Sequence, residues 1–424
     1  MTGHLKFFTK PMADVMCDIM NRQQNVIERF YSLDVLRGLA ALSVVLWHWQ
    51  HFFFSGTKPG TFDVTRLPFY EWFFVLYTKG WLAVDLFFTL SGFIFYWLYS
   101  KRVSEGEISP SKFALLRFSR LYPLHFATLF IVAVSQFWLS NASGHYFVYS
   151  NNDSKHFLLN LIFASSWGFE RGYSFNGPIW SVSVEVLLYA LFFSCSRLFP
   201  VRAIVMIIIS IVGFLVIQKY YQPIGRGIGS FFLGGCIFLA YQAIVRSHRA
   251  AALAKCVAIL MISAWAATIV AQQGVDLSLL TVHSVPFLWR FDASFQWIVQ
   301  KILSFWPVLV LFPLTILSLA LIETHRGPLG RRVSFIGDIS YSSYLLHFPL
   351  QLLFFVVLAR FAANSSVYYS PWFMLSFFTV LIAVCFVSFR YFEMPVQKYL
   401  RQQTGLTLRS TGAVRDKATQ RPLP

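Results

Sequence analysis

Charge is scarce in this sequence. Of 424 residues only 12% are Asp, Glu, Lys or Arg, where a soluble globular domain carries about 25%. A water-soluble fold of this size needs a charged shell that the chain cannot supply. Acids are the scarcer sign, 18 against 35 Lys and Arg. Cysteines number five, none in a CxxC pair, and four of them (Cys195, Cys236, Cys256, Cys385) sit in apolar runs. That excludes a disulfide framework and gives no sign of a zinc site; they read as small hydrophobes. The first thirty residues lack the unbroken apolar stretch of a cleavable signal peptide and carry Lys6, Lys10, Asp14, Asp18, Arg22 and Glu28 instead. The first membrane span is then expected to double as the targeting signal. No loop is long enough for a soluble domain, and no internal repeat is visible.

Apolar and aromatic residues are abundant: 57% of the chain is hydrophobic, with 47 Phe and 13 Trp. Runs of roughly 20 apolar residues are needed to cross the hydrocarbon layer. Ten are present, at 33–54, 80–99, 121–139, 178–199, 201–218, 228–245, 253–271, 302–322, 340–361 and 372–391, and a shorter run at 156–169 suits an interfacial or re-entrant segment. The expected fold class is an all-α polytopic integral membrane protein. With a cytoplasmic N-terminus, the inner segments hold 23 of the Lys and Arg and the outer ones 10, the asymmetry of cytoplasmic loops. Both termini are therefore placed in the cytoplasm. The same bias accounts for the net charge of +17, so nucleic acid is not an expected partner. The organisation is a cytoplasmic segment 1–30, a membrane domain 31–396, and a basic, disordered cytoplasmic tail 397–424.

An ionisable group inside a membrane is expensive, and so a functional candidate by default. Well inside the ten runs, away from their ends, Asp85 and Glu185 are the acids and His48, His125 and His347 the histidines. Arg37 and His48 are eleven residues apart on the first helix, about 16 Å at 1.5 Å per residue. Asp85 and Glu185, on spans entering from outside, fall at a depth similar to His48. A histidine with a carboxylate is the usual apparatus for general base work, and a polar cluster that merely locks helices together is the plainer alternative. Arg117 and Arg120, one turn apart before the third span, join Arg37 in the cytoplasmic layer, where planar guanidinium forks suit phosphate. Tyr341, Ser342, Ser343, Tyr344 and His347 form a polar stretch in the inner half of the ninth span. At the end of the tenth, Arg390 and Glu393 are spaced to pair with each other. No ligand cluster for a metal is visible.

These stretches, LDVLRGLAAL with His48, VDLFFTLSGF, RFSRLYP, NGPIWSVSVE, ISYSSYLLHFP and FEMP, occur in an order that resembles the membrane-bound acyltransferase 3 family, over residues 31–396. That family includes the O-antigen and nodulation-factor acetylases. The resemblance implies a ten-helix protein of the bacterial inner membrane. Such a protein takes an acyl group, usually acetyl, from cytoplasmic acyl-CoA to a hydroxyl of an extracytoplasmic carbohydrate or glycolipid. Arg37 and His48 match the family's R-x10-H motif, and Arg117 and Arg120 its RxxR motif. They imply a catalytic His48 and a donor site at the three arginines. Glu185 or Asp85 would orient the imidazole; Asn176, Ser181 or Tyr341 would donate to the oxyanion, and His347 would line the substrate path. Ala83 and Thr89 depart from common Gly and Val without touching that chemistry, and the C-terminal SGNH-type hydrolase domain of some relatives is not expected at this length. A proton-coupled secondary transporter or flippase is the rival from another class. A multispan glycosyltransferase is a weaker one, since the loop at 55–79 offers only Asp63 and Glu71.

Overall fold

The computed structural model describes residues 29–199, 202–272, 305–361 and 365–403. Helix α1 spans Tyr31–Trp47 and runs on through a tight 3₁₀ turn, His48–Phe53. A two-stranded antiparallel hairpin follows, β1 Phe54–Ser55 and β2 Lys58–Pro59. Next come α2 Tyr70–Lys79, α3 Ala83–Ser104, α4 Pro110–Ser143 and the short α5 Ser154–Leu161. They are followed by α6 Trp180–Leu198, α7 Ala203–Tyr220, α8 Gln222–Arg246 and α9 Ala250–Gln272. The last group is α10 Phe312–Arg326, the short α11 Phe335–Asp338, α12 Ser340–Arg360, α13 Pro371–Ser388 and α14 Met394–Gln403.

Among the described residues nine helices are long and apolar enough to cross a membrane, and α1, at 17 residues, is extended by its 3₁₀ turn. Each of the ten apolar runs thus contains a helix, and the chain is a polytopic all-α membrane protein. The shorter run at 156–169 holds α5, whose 8 residues cannot cross. In its irregular continuation Phe163, Ala164, Ser165 and Ser166 are buried, and their backbone is satisfied from α6: Ser183 Oγ accepts from Ser166 N at 3.1 Å and donates to Phe163 O at 2.6 Å.

Local sequence sets the helix limits. Ser109 Oγ accepts from Lys112 N at 3.2 Å, Pro110 takes the first turn, and Gly144 closes α4 at φ 74°, the usual start and stop devices. With 34 residues, α4 is about 50 Å long. That exceeds a hydrocarbon layer of about 30 Å, so α4 is longer than a single crossing needs. α3 and α8 cross with their backbones touching: a Cβ at Gly92 would lie 1.9 Å from Phe231 O, and one at Gly234 2.1 Å from Thr89 O.

Two expectations for the C-terminal region are corrected. Residues 397–403, assigned to the disordered tail, are helical in α14. That helix docks on α4 through Arg401, whose Nε donates to Ser119 Oγ at 3.2 Å and Nη2 to Leu116 O at 3.4 Å. Glu393 does not pair with Arg390. A π-helical turn at Phe389–Glu393 breaks the i,i+3 register, and Glu393 accepts from Ser342 Oγ at 2.6 Å and Ser388 Oγ at 2.8 Å. Residues 1–28 and 404–424 lie outside the described residues.

Candidate active site

α1 has no side chain of its own to cap its start. Glu323, buried at the end of α10, takes that part, accepting from Tyr31 N and Ser32 N at 2.9 Å each and from Ser32 Oγ at 2.6 Å. The helix so anchored carries Arg37 toward α11. Gly337 lets the two backbones meet, since a Cβ there would lie 2.2 Å from Asp34 O. Arg37 then donates to Gly337 O at 2.9 Å and Ser340 Oγ at 3.0 Å and pairs with Asp34 at 2.8 Å.

Arg37 opens onto a cleft of about 170 Å³ between α1, α3, α4, α6 and α12, lined also by Arg117, Arg120, Ser181, Glu185, Tyr341 and Tyr344. The three arginines expected to act together are thus brought together, in different states. Arg117 is packed among aromatic rings, 4.8 Å from the centroids of both Phe95 and Tyr99, and donates to the Tyr99 hydroxyl. Arg120 makes no hydrogen bond or ion pair among the described residues and is the cation most open to an incoming anion.

His48 lies beyond the far end of this cleft. Its Nδ1 donates to Val44 O at 2.9 Å, which leaves Nε2 with its lone pair, the form a base or nucleophile needs. Gln351 Nε2 donates to the His48 carbonyl at 3.0 Å. The neighbouring rings are histidines, His51 at 4.7 Å and His347 at 4.9 Å between centroids. Among the described residues no group of His, Cys, Asp or Glu is arranged to hold a metal ion.

The expected carboxylate partners of His48 are elsewhere. Asp85 forms a two-pronged ion pair with Arg226 on α8, at 3.1 Å and 2.6 Å, with the guanidinium 5.0 Å from the Trp81 ring and 5.5 Å from that of Trp180. Glu185 accepts from Ser91 Oγ at 3.0 Å and faces the arginine cleft. Equal depth on separate helices did not mean equal azimuth. Arg226 lies outside the sixth apolar run, which begins at 228, but inside the helix, which begins at Gln222.

The expected oxyanion donors are largely engaged. Pro349 has no N–H for the carbonyl four residues earlier, and Asn176 Nδ2 fills that place by donating to Leu345 O at 2.9 Å. The Tyr341 hydroxyl donates to Leu121 O at 2.5 Å. Ser181 Oγ lies 2.7 Å from the Tyr344 hydroxyl, which also donates to Pro178 O at 3.0 Å. Tyr344 stands between the two halves of the site: it lines the cleft, and its ring is 6.1 Å from His347. His347, expected in the inner half, sits at the depth of His48. His51 and Gln351 were missed, although His51 is one turn past His48 and Gln351 one turn past His347 on the same helix face.

A family model described as an acyltransferase domain, that of the acyltransferase 3 family, matches residues 30–390. The chain belongs to the acyltransferase 3 family. The matched region contains the whole cleft and the histidine cluster. Among relatives, "Protein 2 in picA locus" of Rhizobium radiobacter is 40% identical over 110 residues, covering 26% of this chain and 47% of that protein. "Acyltransferase MdmB" of Streptomyces mycarofaciens is 32% identical over 184 residues, covering 42% of each. The chain thus spans less than half the length of either relative. No solved structure matches it.

Proposed function

We propose that this family member is a membrane O-acyltransferase that moves an acyl group, most simply acetyl, from cytoplasmic acyl-CoA to a hydroxyl of an extracytoplasmic or lipid-linked carbohydrate. The observation that carries the reading is the pairing of two features on one helix. A cleft bearing Arg37, Arg117 and Arg120, the last without a partner among the described residues, lies toward one end of α1, and His48, whose Nδ1 is held by Val44 O, at the other. An extended pantetheine arm is long enough for the about 16 Å between them. Arg120 and Arg117 would meet the donor's phosphates, with Arg37 holding the cleft's shape and field. The orienting role expected of a carboxylate falls to Val44 O, which fixes the His48 tautomer, as carbonyls do for catalytic imidazoles.

In the transfer, the hydroxyl oxygen attacks the thioester carbonyl while His48 Nε2 takes its proton; collapse breaks the C–S bond, and the proton passes to the departing thiolate. A relay through acyl-imidazole uses the same nitrogen and adds one step. The Lys and Arg asymmetry supports an orientation with both termini inside, and the family favours a bacterial cytoplasmic membrane; the arginine cleft would then face the side where acyl-CoA resides.

The buried Asp85–Arg226 pair is the feature that favours the second reading, a proton-coupled carrier. Purified protein given acetyl-CoA and a glycan extract separates the two. The acyltransferase releases one free thiol for each acylated acceptor, whereas a carrier leaves the thioester intact.

A further inference from the structure

Around His48, and at Asn176 against the neighbouring turn of α12, the structure leaves buried polar atoms without partners, among them Nε2 of His347, Oε1 of Gln351 and Oδ1 of Asn176. Their side chains are 0%, 0% and 1% exposed. Buried polar groups are normally satisfied, so each of these invites a hydrogen-bond partner. The bonds already made fix what these atoms are. The His347 Nδ1 donates to Ser343 O at 3.2 Å, so Nε2 is a bare lone pair. The amide nitrogens of Gln351 and Asn176 donate to His48 O and Leu345 O, so their oxygens are acceptors as well. Nδ1 of the adjacent His51 is unpartnered as well and donates or accepts according to its tautomer, so acceptors outnumber donors and a ligand rich in hydrogen-bond donors is favoured. A neutral polyol brings donors.

His48 and His347 are set by the same device. Each imidazole gives its Nδ1 proton to the carbonyl four residues earlier on its own helix, and the rings lie 4.9 Å apart with a 33° tilt. We propose that the pair reads a vicinal diol. The hydroxyl to be acylated faces His48 Nε2, and its neighbour donates to His347 Nε2, with Gln351 and Asn176 accepting from hydroxyls further round the ring. His347 is then a specificity-determining residue that selects which hydroxyl reacts. An isolated alcohol is a poor acceptor because it leaves the His347 lone pair buried and unmet. This inference rests on the acyltransferase reading above.

The test uses the full-length protein in detergent, acetyl-CoA, and as probes methyl hexopyranosides with their monodeoxy derivatives, in wild type and His347→Phe. For the wild type, removing the oxygen next to the acylated position should lower kcat/KM at least about tenfold, since a site built to receive a hydroxyl rejects the analogue that lacks it. In His347→Phe, the parent sugar should fall by a similar factor and the deoxy sugar should lose nothing more. If the variant fails to fold, the wild-type comparison decides alone. Equal wild-type rates on parent and deoxy sugars would overturn the inference. So would His48-dependent thiol release that acylates none of the pyranosides, an outcome that leaves the acyltransferase reading standing. No thiol release with any acceptor removes that reading, and this inference with it.

Discussion

At the scale of single residues, the three arginines of the cleft differ in what they have left to give. Arg37 is spent on Asp34, Gly337 and Ser340; Arg117 gives Nη2 to the Tyr99 hydroxyl and packs on the rings around it, with its buried Nε left over. Arg120 has its full fork available among the described residues. Replacing Arg120 with Ala should therefore raise KM for acyl-CoA by about 10- to 100-fold, the worth of a charge-assisted contact of about 1.5–3 kcal/mol. The fall in kcat should be smaller. An Arg120→Ala enzyme with an unchanged donor KM would reduce that residue to a topology signal. The residue types needed for the site were readable from the sequence, because charge is rare in an apolar run. Their partners were not, because contact depends on helix rotation. That is why Asp85 was matched to His48 when its companion is Arg226.

At the scale of elements, the Asp85–Arg226 pair ties α3 to α8 where the glycine crossing has already brought the backbones together. The two side chains are only 3% and 12% exposed. Removing one partner strands a buried charge, at a cost of about 3–5 kcal/mol, whereas replacing both by neutral groups is often close to neutral. Arg226→Ala should accordingly lower the thermal unfolding midpoint in detergent markedly, and Asp85→Asn combined with Arg226→Gln should recover most of that loss together with activity. A stable double variant without activity would return Asp85 to the chemistry. Pro349 illustrates the same coupling. Its missing N–H leaves the Leu345 carbonyl to Asn176, so a residue first read as an oxyanion donor braces α12 beside His347.

At the scale of the whole molecule, α1 and α12 run in the same direction. Ser340 touches Arg37 at the start of both helices, and His347 meets His48 further along. First and ninth spans are expected to be parallel, so the alternation of ten apolar runs and the side-chain contacts agree. The fold was legible because apolar runs of about 20 residues are forced by bilayer thickness. The helix at Met394–Gln403 was not, because it lies past the last apolar run and Arg401 bonds it to α4. The pairing of an anion-binding cleft with a base at its far end is the central claim, and the rate of thiol release from acetyl-CoA measures it most directly. With insertion and yield matched, His48→Ala should lose at least about 10²-fold relative to wild type, the lower end of what a positioned general base supplies. Release within a fewfold of wild type would contradict the account.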